Sequence, residues 1–246
     1  MKARIPNSTQ MREKQMEELL KHQLGPDDTF QFRCAQCGKC CRNRNDILLS
    51  PFDICRIAKH TGESVEEVIG KYGLLYIGDT SKVPLVMLKM RKDTGECPFL
   101  KDNRCSIHMG KPAVCALFPL GRVAMRDKEN THAIKLSYVL QPVTCGAKDE
   151  THTPREWMTG FDLAESEQYF NVWQDTVMEM SEGFKKYIHD LPKNAKDGLY
   201  RLMASIMYGK YDPNEPLMPQ FEEKRKLIMG SLAHIERGLN EELSGE

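Results

Sequence analysis

Four cysteines fall within eight residues, in the run Cys34-Ala35-Gln36-Cys37-Gly38-Lys39-Cys40-Cys41. A Cys-x2-Cys loop curls two sulfurs around a common point, and Gly38 supplies the backbone freedom that such a turn needs. Adjacent side chains tend to point apart, so Cys40 and Cys41 are suited to different metals or different atoms of one cluster. Arg33, Lys39, Arg42 and Arg44 surround the run, and nearby cations stabilise thiolates. The pattern therefore points to metal–thiolate chemistry.

A second group is spread further along: Cys97-Pro98-Phe99-Leu100, Cys105-Ser106-Ile107-His108, Lys111-Pro112 followed by Cys115, and Cys145-Gly146. These gaps are irregular, so only the fold can assemble them. The eight candidate metal ligands are Cys34, Cys37, Cys40, Cys41, Cys97, Cys105, Cys115 and Cys145, enough for one or two sites. Cys55 lies between Ile54 and Ile57 on an expected helix and reads as a small core residue. His108 reads as a hydrogen-bonding neighbour of the thiols rather than a ligand. Cys34, Cys37 and Cys40 share the Cys-x2-Cys-x2-Cys spacing of iron–sulfur proteins, with Cys97-Pro98 as a distant partner. Zinc prefers a closed set of four ligands, commonly from two knuckles. The cofactor expected is thus an iron–sulfur cluster or Zn2+, with the cluster favoured.

Nine cysteines without an apolar N-terminal leader favour a cytoplasmic protein with metal or redox chemistry over a disulfide framework. No run of apolar residues is long enough for a membrane span. Lys+Arg and Asp+Glu both number 35, which argues against general nucleic-acid binding.

Three segments are expected: an N-terminal helix (1–30), a cysteine-cluster metal-binding domain (31–150) and a helical C-terminal region packed on it (151–246). The fold class is α+β, a small cysteine-rich domain with short strands and irregular loops flanked by helices. Residues 8–24 read as an amphipathic helix stopped by Gly25-Pro26. Ser50-Pro51 opens a helix through about His60, and Ser64-x-x-Glu67 is a capping box opening another to Tyr72. Val83–Arg91 reads as a strand that turns at Asp93-Thr94-Gly95 into Cys97, and Ala133–Leu140 as a second strand. Tyr169, Trp173, Val177, Met180 and Phe184 form a helical apolar stripe, Asp190-Leu191-Pro192 breaks it, and helices follow at 199–208 and 220–239.

On the motifs Cys34 to Cys41, Cys97-Pro98-Phe99-Leu100, Cys105-Ser106-Ile107-His108 and Pro112-Ala113-Val114-Cys115 with Phe118-Pro119, residues 32–146 resemble the CxxCxxCC (YkgJ-like) family of zinc- or iron-chelating domains. Lys111 and Ala116 stand where the family usually carries arginines. Flagellin lysine N-methylases look similar in carrying such a cluster, which implies a link to methyl transfer. The chain has no glycine-rich strand–turn–helix fingerprint for S-adenosylmethionine, no G-x-S-x-G and no H-E-x-x-H. No catalytic residue is assigned. Two functions stay open: a metal-cluster protein with a redox or methyl-transfer role, or a zinc-stabilised module whose helical tail binds a protein partner. For the first, Arg42, Arg44 and Lys111 are candidates to hold a substrate carboxylate.

Overall fold

A computed structural model describes residues 18, 21–126, 134–163 and 166–244. Along the chain run β1 (Gln23–Leu24), β2 (Phe30–Arg33), a 3-10 turn (Lys39–Cys41), β3 (Leu48–Leu49), α1 (Pro51–Thr61), α2 (Val65–Tyr72), β4 (Gly73–Ile77) and β5 (Pro84–Leu88). Then come β6 (Leu100–Lys101), β7 (Arg104–Cys105), α3 (Ala113–Leu117), β8 (Leu120–Arg126), β9 (Ile134–Leu140), β10 (Ala147–His152) and α4 (Pro154–Thr159). Three longer helices close the chain: α5 (Ser166–Tyr187), α6 (Lys193–Tyr208) and α7 (Leu217–Ser244). The architecture is the expected mixture of helix and strand, with small sheets around a cysteine-rich segment. Among the described residues no helix is long and apolar enough to cross a membrane.

The chain divides into two compact units, Met1–Ala35 with Leu117–Ala164 and Gln36–Ala116 with Glu165–Glu246. In the first unit β1, β9 and β8 form one antiparallel sheet, and β10 pairs with β2 in another. Tyr138, Phe30, Phe32 and Met158 are buried in it, and the Trp157 ring meets both phenylalanines edge-on. Thr153 caps α4, where Pro154 and Glu156 complete the start signal.

Of the helix expected over 8–24, residues 8–17, 19 and 20 lie outside the described residues. Gln23 and Leu24 are strand rather than helix, paired with Val139 and Tyr138. A sheet edge offers their backbone groups partners that local propensity does not foresee, and tertiary pairing overrides propensity.

In the second unit, β5 lies between β3 and β4, and Val86 faces both Leu49 and Leu75 in register. Ser50 caps α1, Pro51 sits in its first turn and Gly62 closes it in the left-handed conformation. Ser64 and Glu67 cap α2 reciprocally. The expected strand at 83–91 is shorter, ending at Leu88, because β4 pairs only that far. β4 carries no alternating pattern and was not legible in the sequence.

The apolar stripe Tyr169, Trp173, Met180 and Phe184 is buried against α6 and α7, where Met203, Met207, Phe221 and Ile228 are fully enclosed. Burying each such side chain contributes about 1.5–3 kcal/mol, the main stabilisation of the tail. The tail packs on the sheet of its own unit, and the Tyr208 hydroxyl reaches the Pro84 carbonyl at 3.4 Å. Arg225 on α7 pairs with Asp175 and Glu179 of α5, each at 3.0 Å.

Candidate metal centre

The site in the second unit is assembled by backbone pairing. After the 3-10 turn that carries Cys40 and Cys41, the chain runs antiparallel to the segment before Cys97. Asn43 N–H donates to Gly95 O and Cys97 N–H to Cys41 O, both at 2.8 Å, with Arg42 and Glu96 bridged between them. The turn expected at 93–95, closed by Gly95 at φ +68°, folds Glu96 back on Arg91, whose N–H donates to Glu96 O at 2.7 Å. Cys41 and Cys97 are therefore neighbours.

From Cys97 the chain turns through Pro98, and β6 and β7 form a two-residue hairpin that pairs Leu100 with Cys105. Asp102 and Asn103 at its tip both have positive φ, the geometry that matches strand twist in a tight hairpin. Cys105 returns in this way beside the Cys97 turn. Two contacts repeat at equal spacing: Phe99 N–H donates to the Cys97 sulfur, and Ile107 N–H to the Cys105 sulfur. An N–H aimed at sulfur favours the thiolate over the thiol.

Cys115 sits on α3. The start of that helix is fixed by Asp53, whose one carboxylate oxygen accepts Ala113 N–H at 2.6 Å while the other accepts from Ser50. Arg56 of α1 donates to the carbonyls of Met109 and Lys111 and holds the loop leading into it.

Electrostatics link the five thiols. The Cys40 and Cys41 sulfurs are 4.0 Å apart. A hydrogen bond from Cys41 holds Cys40 low, at about 6, with help from Lys111 and Arg44. The same bond and burial push Cys41 far up, and Cys97 and Cys105 add to it. Burial raises Cys97 to about 11 and lifts Cys105 and Cys115, and Cys40 and Cys97 raise Cys115 further. Each thiolate opposes its neighbours, the condition that a bound cation relieves.

Cys37 is exposed, immediately before Gly38, whose φ is +68°. The positive φ strains any other residue at Gly38, and a Cβ there would lie 3.1 Å from the Asn103 carbonyl and displace the Arg42 guanidinium, so glycine is favoured. Cys34 and Cys145 belong to the first unit. Arg33 pairs with Ala147, so these two cysteines leave the same end of the β2–β10 ladder. Among the described residues, no group of three or more His, Cys, Asp or Glu side chains is drawn up closely enough to hold a metal ion.

Cys55 is buried in the α1 core, and desolvation pushes its thiol up to about 12. The His108 imidazole is held below its ordinary value by burial and by Lys111.

Arg42 and Arg44, candidates to hold a substrate carboxylate, are engaged within the protein. Arg44 makes a two-pronged pair with Asp46 at 2.6 and 2.8 Å. Arg42 donates to Glu96 at 3.1 Å, Gly38 O at 2.9 Å and Asn103 at 2.6 Å. The roles of Arg42, Asp53 and Arg56 escaped sequence reasoning. Only Asp53 left a trace, as the acidic residue three positions after the Ser50 cap.

No curated protein and no solved structure matches the chain. The thiols are nevertheless of the chemical kind that binds soft metals, with cations close by. In agreement, residues 33–146 match the model of the CxxCxxCC family, described as "Putative zinc- or iron-chelating domain", which supports metal binding by this stretch.

Proposed function

We propose that this protein holds metal at one or two resident sites through thiolates drawn from Cys34, Cys37, Cys40, Cys41, Cys97, Cys105, Cys115 and Cys145. The observation that carries the reading is the assembly of Cys40, Cys41, Cys97 and Cys105: Cys97 N–H donates to Cys41 O at 2.8 Å, the Cys40 and Cys41 sulfurs are 4.0 Å apart, and the hairpin returns Cys105 beside the Cys97 turn, with backbone N–H groups favouring the thiolate at Cys97 and Cys105. Buried thiols in a purely structural core do not need donors aimed at sulfur. The chain's residues would hold the ion and neutralise its surroundings, and Lys111 and Arg44 favour the thiolate at Cys40.

Between the two metals, the Cys34-x2-Cys37-x2-Cys40 spacing with a later Cys-Pro favours an iron–sulfur cluster over zinc. A bound cluster would supply electron transfer or an open iron for a methyl-donor substrate, whereas zinc would supply a closed structural node. The test is anaerobic purification with iron, zinc and acid-labile sulfide assays and a visible spectrum. A brown protein with iron and sulfide supports the cluster reading with its redox or methyl-transfer role. A colourless protein with stoichiometric zinc supports an interaction module whose helical tail binds a partner. Absence of both metals at stoichiometric level would overturn the proposal.

A further inference from the structure

We propose that Glu96 is a positioning residue for the metal centre, the hub of an arginine clamp that fixes three ligand-bearing loops against one another. This rests on the metal-centre reading above. Glu96 accepts from Arg42 through one carboxylate oxygen at 3.1 Å and from Arg91 through the other at 3.5 Å. The remaining donors of the two guanidinium groups grip the loops themselves. Arg42 donates to the Gly38 carbonyl, between Cys37 and Cys40, and to the Asn103 side chain at the tip of the hairpin that leads to Cys105. Arg91 donates to the carbonyls of Pro98 at 2.9 Å and Leu100 at 3.1 Å, on either side of Phe99, whose N–H reaches the Cys97 sulfur.

One carboxylate thus connects the first cysteine run, the Cys97 turn and the Cys105 hairpin. Arginine suits the task because its planar fork presents several donors in fixed directions, which lysine does not. Glu96 and Arg42 are only partly exposed, with side-chain accessibilities of 25 % and 33 %. The clamp lies at the backbone bridge between Arg42 and Glu96, so it also secures the pairing of Cys41 with Cys97. Groups that orient ligands without touching the ion typically change metal affinity by about 10–100-fold when removed.

The probe is Co(II) loaded into the metal-stripped full-length protein, read by its thiolate charge-transfer and d–d absorption and by its release to EDTA. Glu96→Ala should speed release by about 10–100-fold and alter the d–d bands. Glu96→Gln keeps one acceptor oxygen and should recover part of the loss. Lys71→Ala, which removes an exposed ion pair with Glu63 elsewhere in the unit, should release Co(II) as the wild type does. Should Glu96→Ala fail to fold, Asn103→Gly carries the test, since it removes one link and keeps the positive φ. Wild-type protein that takes up no Co(II) on its thiols overturns the metal-centre reading. Wild type that loads normally, with variants of unchanged spectrum and release rate, overturns the clamp alone.

Discussion

The backbone N–H of Cys97 donates to the carbonyl oxygen of Cys41 at 2.8 Å. Two cysteines from separate motifs are thereby placed side by side by main-chain pairing in which neither sulfur takes part. Substituting either sulfur should leave this pairing and remove a ligand. Cys41→Ser and Cys97→Ser are each expected to lower bound metal, measured by elemental analysis after anaerobic purification. Cys55→Ala should retain the metal and cost about 1 kcal/mol of stability, in the ordinary range for a small core truncation. Full metal retention in both serine variants would count against the ligand assignment.

Asp53 joins α1 to α3 through two oxygens and is buried, at 5 % exposure. Asp53→Ala removes the α1 capping box and leaves Ala113 N–H without its acceptor. Loss of a cap costs about 0.5–2 kcal/mol and a hydrogen bond to a charged group about 1.5–3 kcal/mol. Urea unfolding should show a drop of about 2–4 kcal/mol, and Asp53→Asn should lose less.

Gly146 follows Cys145 with φ +80°, and a Cβ there would meet the Phe32 ring and lie 2.7 Å from the Arg33 carbonyl. Gly146→Ala therefore has to strain the backbone and open the β2–β10 ladder. A loss of about 1–3 kcal/mol is expected, read as a lowered thermal midpoint. An unchanged midpoint would show that this approach is not needed for the first unit.

The hydrogen bond from Arg44 holds the Asp46 carboxyl below its usual range. A carboxylate with a depressed folded-state pKa contributes stability above its unfolded value, about 3.9, and loses it as pH falls through the folded value. Thermal midpoints measured from pH 6 down to about 2.5 should fall in the wild type, with the Asp46 share lost below about pH 4. Asp46→Asn should start lower and fall less. Parallel curves for the two proteins would remove Arg44–Asp46 from the account of acid sensitivity.

Two helix starts in this chain are local facts, and the sequence by itself determined them. Ser50-Pro51 and Ser64 to Glu67 set these starts, because a cap satisfies N–H groups within its own turn. The stripe from Tyr169 to Phe184 likewise marked its buried face by period alone. General metal binding was legible too, since four thiols in eight residues leave few other readings, and the family model over residues 33–146 supports it. What tertiary structure alone decided is which thiols meet and what their charged neighbours do. Cys41 lies beside Cys97 because distant backbone segments pair, and Gln23–Leu24 is strand because β9 has an edge to fill. Arg42 and Arg44 looked available in sequence, yet Glu96 and Asp46 engage them. Pairing of this kind depends on partners far along the chain, whose identity no local period or cap encodes.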